Sequence, residues 1–436
     1  LAGARLRQAG VRDIRVIEHA SDFGGTWYWN RYPGAQCDIE ALIYLPLLEE
    51  LGYTPKDRYA YQPEILEHSQ NIARHFGLYE NATFQTSITA MRWDEEKLEW
   101  TIETDRDDKL SAKYVVLGCG RQSLPKLPNL PGIDRFKGEI FHSSRWRYDY
   151  TGGDSTGNLT GLQDKRVGVI GTGASAVQLV PHVGASAKET FVFQRTPSSI
   201  GVRDNRKVDP EFASDLAPGW QRERMENFAA VMAGERPEKD LTQDGWTAVA
   251  KDFFAVKPDV IAERLQREPT REEIALTTEL LDHRVMNNLR ARVAAVVQDP
   301  DKAAKLMPWY RWQCKRPCFN DEYLETFNRD NVHLIDACSH GLQSFTEDGV
   351  IVEGDFYQLD CLIFATGFES GISFNDLAGF EIHGRDSRPL SQHWHRGPRT
   401  LHGFSTEGFP NLLLMGAGFP TAPSVNAVHV LDEQAR

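Results

Sequence analysis

Short apolar runs that end in glycine alternate with stretches of helical composition along the chain, the pattern of an α/β protein. Residues 1–8 (LAGARLRQ) have a helix composition, and Gly10 suits its terminator. Residues 14–18 (IRVIE) predict a short strand that closes on an acid. A helix is predicted over 65–76, and strands over 83–93 and 98–104 with a turn at 95–97. Residues 114–117 (YVVL) read as a buried strand ending at Gly118-Cys119-Gly120. A proline-rich stretch at 124–132 and a Gly/Ser/Thr-rich surface linker at 151–161 follow. A second series then begins. It has a strand over 166–170 (RVGVI), the turn Gly171-Thr172-Gly173-Ala174-Ser175-Ala176, and a helix opened by 177–180. The next strand, 191–193, ends at Gln194-Arg195-Thr196. Residues 209–300 read as mostly helical and charged, an elaboration inside this second unit. Further strands are predicted at 360–364, ending in Ala365-Thr366-Gly367, and at 411–415, ending in Gly416.

The turn at 171–176 has the form G-x-G-x-x-A. Its glycines allow a tight bend and let backbone N–H groups approach a pyrophosphate at the helix N-terminus. Such a motif alone is weak, and its place between a strand and a helix is what points to a dinucleotide. Arg195 ends the second strand of this unit, 22 residues past Gly173. An acid there would hold the ribose 2′-OH of NAD, whereas a cation suits the 2′-phosphate of NADP. A solvated surface arginine is the plainer alternative. Glu18 holds the matching place in the first unit, where helix, glycine, apolar strand and terminal acid form the second half of a βαβ nucleotide unit. An acid there suits an unphosphorylated ribose, as in FAD. Opposite charges at matching places point to a flavin–NADPH pair. The first strand of the first unit and its glycine-rich turn are expected to lie outside the given sequence. The expected fold class is therefore α/β, with two Rossmann-like dinucleotide-binding domains, the second inserted in the first, and a helical elaboration. Residues 1–150 and 331–436 are expected to form the FAD-binding domain. Residues 160–330 are expected to form the NADP-binding domain, with its insertion at about 209–300.

Three further stretches could carry chemistry. Residues 24–38 (GGTWYWNRYPGAQCD) combine glycines, aromatics, a proline and an aspartate, as in loops that bring backbone against a flat ring. A core aromatic cluster under a loop is the alternative. Residues 136–146 (FKGEIFHSSRW) have the form F-x-G-x-x-x-H-x-x-x-W, set by Phe136, Gly138, His142 and Trp146. A lone histidine is more often structural than catalytic, so His142 reads as a linker and hinge residue. Lys315-Arg316-Pro317 places two cations in a loop with Trp and Cys, which taken alone is a surface charge pair. Backbone at Ala365-Thr366-Gly367 could meet a cofactor, with a simple strand-end turn as its rival.

Composition narrows the classes. A chain of 436 residues, 41% hydrophobic and 25% charged, has room for two or three domains of a soluble enzyme. Its net charge of -13 argues against nucleic acid as a partner, because a phosphate backbone needs surplus Lys and Arg. Six scattered cysteines without a Cys-x-x-Cys pair predict reduced thiols, no metal and a cytoplasmic setting. No apolar run approaches the ~20 residues of a membrane span. No signal peptide is visible, and because the chain begins at Leu1 and not at Met, a preceding segment is expected.

The motifs GGTWYWNRYPGAQCD, F-x-G-x-x-x-H-x-x-x-W, GTGASAVQ, FQRTP, CKRP, FNRDNVHL and ATGF occur in an order that resembles type I Baeyer–Villiger monooxygenases, over essentially the whole chain. Trp146 separates this pattern from the related N- and S-oxidising flavin monooxygenases. One departure is Arg147, where the family usually has Pro or Asp. The family's chain normally extends past this C-terminus as well. The resemblance implies an FAD-dependent, NADPH-consuming enzyme that inserts one oxygen atom of O2 beside a ketone carbonyl through a C4a-peroxyflavin. It implies that Glu18 holds the FAD ribose, that Gly25, Thr26, Trp27 and Asp38 lie along the flavin, and that Thr366 and Gly367 lie near it. Gly171, Gly173, Ser175 and Gln178 would line the NADPH pyrophosphate path. Arg195, Thr196 and Lys315 would take the 2′-phosphate. Arg316, paired with Asp38, would be the catalytic arginine. Residues 219–228 and 431–436 look like the subgroup that acts on bulky cyclic or steroid ketones. An N- or S-oxidising enzyme, or a non-catalytic dinucleotide-binding fragment, are the competing readings.

Overall fold

The structure is a computed structural model that describes residues 1–120, 122–209, 211, 215–254, 257–369, 373–416 and 426–436. Within the helical stretch expected at 209–300, positions 210, 212–214 and 255–256 lie outside the described residues.

In the first unit, helix α1 (Ala2–Gln8) ends where Gly10 turns left-handed, and strand β1 (Val16–Ile17) follows. Helix α2 (Gln62–His75) starts three residues before the expected position, because Pro63 suits a first turn. The single strand expected over 83–93 is two, β2 (Ala82–Thr83) and β3 (Ile88–Asp94), and β3 is followed by β4 (Glu99–Thr104) and β5 (Lys109–Ala112). β2 pairs with β1, whereas β3 pairs antiparallel with β4 in another sheet, so the chain must leave one sheet for the other between them. Strand β6 (Val115–Leu117) is only half-buried, and Tyr114 is 70% exposed, which corrects the expectation of a buried strand there. Trp100, fully buried on β4, centres the core of this unit and donates its indole N–H to the Pro410 carbonyl at 2.8 Å.

The second unit is a parallel sheet. Its strands are β7 (Glu139–His142), β8 (Arg166–Ile170), β9 (Glu189–Gln194), β12 (Val332–Asp336) and β16 (Cys361–Phe364), in the spatial order β12-β9-β8-β16-β7. Between β9 and β12 the chain adds the short parallel pair β10 (Ile200–Gly201) and β11 (Cys318–Phe319). One face of the large sheet is covered by helix α3 (Ala174–Ser186), whose Val177, Val180 and Val183 meet Val169, Val192 and Ile363. The other face is covered by an antiparallel meander of β13 (Leu342–Phe345), β14 (Gly349–Val352) and β15 (Asp355–Gln358), through Phe345, Val350 and Val352 against Phe193 and Phe364. Both faces are therefore buried, which explains the unbroken apolar run of β16.

These pairings correct the expected boundary at 331. Strands β12 and β16, and also β7, add to the second sheet. The chain therefore returns to the first unit only after β16, where β17 (Glu381–His383) joins β3 and β18 (Leu412–Leu414) joins β6. Sequence marks a buried strand but not the sheet that it joins. The insertion is helical as expected, with α4 (Trp220–Ala233), α5 (Gly245–Phe254), α6 (Pro258–Leu265) and α7 (Arg271–Val296), the last opened by a Thr270/Glu273 capping box. Helix α8 (Ala427–Ala435) closes against α1 through Arg5, which donates two hydrogen bonds to Asp432 at 2.8 and 2.6 Å. No helix among the described residues is long and apolar enough to cross a membrane.

Strand order reverses between β8 and β16, and two turns emerge there side by side, at Gly171 and at Ala365–Gly367. A Cβ at Gly171 would sit 2.5 Å from the Ala365 carbonyl oxygen, at a φ of +109°. Gly171→Ala should therefore lose on the order of 1–3 kcal/mol and lower the thermal midpoint. An unchanged melting curve would show that the two turns can separate freely.

Candidate active site

The first cradle is built from the turns of the first unit. Glu18 follows β1, accepts the Ala20 N–H at 2.8 Å, and lies within electrostatic reach of the Cys119 thiol, so the two strand-end turns face each other. Gly25 sits at a φ of +52°, and a Cβ on it would meet nothing, as is also true at Gly118, Gly120 and Gly367. Glycines that open onto space, and not onto neighbouring protein, leave room for a ligand's close approach. Thr26 and Trp27 start a single helical turn, Thr26–Trp29. The Trp27 indole donates to Tyr44 Oη at 3.0 Å, and its carbonyl accepts from Gln62 at 2.6 Å. Thr366 and Gly367 are pinned by the proline-rich stretch, since the Thr366 hydroxyl donates to the Lys126 carbonyl and the Lys126 N–H donates to Gly367 at 2.9 Å.

The second cradle is the N-terminus of α3. Gly173 caps the helix, no acid stands in its first turn, and a Cβ on Gly173 would meet nothing. Its unpaired N–H groups and positive dipole end therefore face open space beside Ser175. Arg195 is exposed at the end of β9, with Thr196 beside it. Lys315 donates to the Thr196 carbonyl at 2.9 Å and to Pro197 at 3.3 Å, and burial together with the charge of Arg195 lowers its pKa. Two cations therefore converge beside Thr196. Gln178 is expected on the pyrophosphate path. It lies a turn further along α3, 8% exposed, where its Oε1 accepts from Tyr32 at 2.9 Å and its Nε2 donates to the Gln36 carbonyl at 2.9 Å. It clamps the 24–38 loop onto the helix.

The structure brings Arg316 and Asp38 together. Arg316 Nη2 lies 2.6 Å from Asp38 Oδ2, with the side chains 50% and 11% exposed. The Asp38 carboxylate raises the arginine's pKa further, so the guanidinium stays charged. Both charges act on Tyr32, which meets α3, and on Tyr44, which meets Trp27, so the pair lies where the two cradles adjoin. Sequence reasoning missed several neighbours of the pair. Trp246 on α5 donates to the Asp38 carbonyl at 2.9 Å, and the Arg316 guanidinium lies 5.9 Å from its ring centroid. Glu40 is paired with Arg224 of α4 at 2.7 Å. Arg203 bonds the Cys37 carbonyl. None of these residues stands in a motif with a chemical signature of its own.

The fingerprint residues pack and hydrogen-bond within the fold. Phe136 is core, and a Cβ on Gly138 would lie 2.5 Å from the Asp360 carbonyl oxygen. Trp146 meets Phe141 edge-on and donates to Thr151 Oγ1 at 3.1 Å. Arg147 forms exposed ion pairs with Glu139 and Asp149, which accommodate the departure at that position. His142 ends β7, its Nε2 3.0 Å from the Gly367 carbonyl oxygen and its Nδ1 accepting from the Ser144 N–H at 3.1 Å.

Residues 53–215 match the flavin-binding monooxygenase-like family. The chain is 49% identical over 421 residues to the Baeyer–Villiger monooxygenase ATR8 of Stachybotrys chlorohalonatus, covering 96% of this chain and 66% of that one. It is 39% identical to the polycyclic ketone monooxygenase of the thermophilic fungus Thermothelomyces thermophila, with a TM-score of 0.89, covering 100% of this chain and 72% of that one. The chain belongs to the Baeyer–Villiger monooxygenases. The solved OTEMO complex with FAD and NADP, 29% identical, matches with a TM-score of 0.80 over 100% of this chain and 80% of that one.

Burial pushes the pKa of His142 down to about 4. The unfolded chain therefore binds a proton that the fold rejects between pH 6.5 and about 4, and stability falls as pH is lowered through that window. His142→Gln should flatten the dependence by up to about 1.4 kcal/mol per pH unit. Denaturant unfolding at several pH values measures the slope, and equal slopes in both proteins would place this acid lability elsewhere.

Proposed function

We propose that the full-length protein is an FAD-dependent, NADPH-consuming monooxygenase that inserts one oxygen atom beside a ketone carbonyl to give an ester or lactone. The observation that carries this reading is the Arg316–Asp38 contact of 2.6 Å at the meeting of the two cradles. Glu18, Gly25, Thr26, Trp27, Asp38, Thr366 and Gly367 would hold FAD. Gly171, Gly173 and Ser175 would receive the NADPH pyrophosphate, and Arg195, Thr196 and Lys315 its 2′-phosphate. When bound, FAD with NADPH would supply activated oxygen to this site. Arg316 offers N–H donors and a full positive charge to the substrate's carbonyl oxygen as negative charge builds on it. Asp38 orients that guanidinium, and the aromatic lining of Trp27, Tyr44 and Trp246 limits water.

Oxidation of an amine or a sulfide builds no such charge on a carbonyl oxygen, so a fixed cation at this point favours the ketone reaction over the N- or S-oxidising alternative. Bulky cyclic ketones are the favoured substrates, since residues 219–228 of the insertion, where that subgroup's pattern lies, contact the site's loop through Arg224 and Glu40. The cysteines are unpaired among the described residues, which suits the cytoplasm.

Product analysis of the purified protein over a panel of cyclic ketones and sulfides tests the reading. Esters or lactones are expected, and a protein without flavin absorbance would overturn it. Arg316→Ala should keep FAD bound and reducible while ester formation falls by about 100–1000-fold. Full ester yield from that variant would remove Arg316 from the chemistry. Arg195→Ala should raise the Michaelis constant for NADPH far more than that for NADH. An unaltered cofactor preference would return Arg195 to the solvated surface.

A further inference from the structure

Arg203 is 5% exposed, and its guanidinium is held by backbone carbonyl oxygens. Nη1 donates to Cys37 at 2.6 Å and Nε donates to Phe319 at 2.8 Å. Cys37 immediately precedes Asp38, and Phe319 lies three residues past Arg316 in β11. One planar group therefore joins the two segments that carry the ion pair. Its own backbone is fixed as well, because the Arg203 N–H donates to Asp321 at 3.0 Å and β10, just before it, pairs with β11. A buried guanidinium costs desolvation that two neutral carbonyls only partly offset. Charge supplies a reason to retain it. Arg316 and Asp38 cancel at a distance, whereas Arg203, Asp38 and Arg316 together sum to one positive charge. Arg203 and Asp38 act with opposite sign on the Cys37 and Cys318 thiols, which places both charges in the same neighbourhood.

We propose that Arg203 is a positioning residue for oxygen transfer, one that bolts the Asp38 loop to the segment carrying Arg316 and keeps the site net positive. This rests on the ketone reading above. Its signature is coupling. In a coupled turnover, ketone, NADPH, a proton and O2 leave as ester, NADP+ and water. In an uncoupled one, NADPH, a proton and O2 leave as NADP+ and hydrogen peroxide.

The test compares holoenzyme variants for ester and peroxide formed per NADPH, flavin content, melting temperature and amide hydrogen exchange at residues 35–40 and 314–320. Arg203→Gln removes the charge and should cut ester per NADPH about tenfold, with NADPH oxidation within about twofold of wild type and faster exchange in both segments. Arg203→Lys keeps the charge but has one nitrogen for two carbonyls, and should lose about threefold. Wild-type coupling in Arg203→Gln overturns the proposal, as does a loss that merely follows flavin content and melting temperature. Should Arg203→Gln fail to fold, Arg203→Lys decides alone, with unchanged coupling as the overturning result. A wild-type protein that yields no ester from any ketone refutes the ketone reading instead. Hydrogen exchange then still reports whether Arg203 joins the two segments, and unchanged exchange in the variants overturns the bolt.

Discussion

A cation that serves an anion in transit must be held still by a carboxylate without being used up by it. Arg316 meets Asp38 through one nitrogen at 2.6 Å, and a guanidinium has five N–H donors, so part of its donor edge stays available. The aspartate is the more buried partner and the better anchored. The Cys37 N–H bonds the Ala60 carbonyl at 3.1 Å, the Asp38 carbonyl accepts from Trp246, and the Cys37 carbonyl accepts from Arg203. The fixed element is thus the backbone on either side of Asp38, and Arg316 takes its aim from that backbone.

The same backbone locks the two nucleotide units to each other. Gln178 reaches out of α3 to Tyr32 and Gln36, and Gly34 approaches so closely that a Cβ there would lie 2.4 Å from the His182 ring and 2.6 Å from the Gln178 carbonyl. The loop at 24–38 therefore moves with α3. His142 is equally constrained, and Thr151 is fully buried. Rotation about either would break hydrogen bonds inside a packed region.

Much of this arrangement was legible in the sequence because the chemistry sits in local motifs. Strand, glycine turn and helix at 166–186 follow from a buried parallel strand that must turn sharply to place a helix on its face. The contrast between Glu18 and Arg195 follows from ribose chemistry. The Asp38–Arg316 pair was legible only through family resemblance, since nothing local in either segment indicates that they meet. Strand membership was not legible. β16 reads the same whether it joins the first sheet or the second, because burial on both faces removes the alternation that would distinguish its neighbours. The contacts of Gln178 with the 24–38 loop were not legible for a related reason. Its position in a phosphate motif says nothing about which face of the helix another loop will cover.

The helical insertion shows why local reading also missed Trp246 and Arg224. It reaches the site at two kinds of joint. One is electrostatic, where Arg224 meets Glu40, both largely buried, and Arg58 donates to the carbonyls of Thr242 and Gln243 at 2.9 and 2.7 Å. The other is steric, where Gly245 lets α5 approach so closely that a Cβ would lie 2.3 Å from the Phe319 ring. Phe319 lies on the strand just beyond Arg316, and Glu40 lies two residues beyond Asp38. The insertion therefore touches the segments that carry both halves of the ion pair, and Trp246 reaches the pair itself. Side chains facing a substrate can vary there without disturbing the charges, provided that these two joints are kept. On the proposed reading, this would separate the parts of the chain that admit a ketone from the parts that stabilise its oxygen.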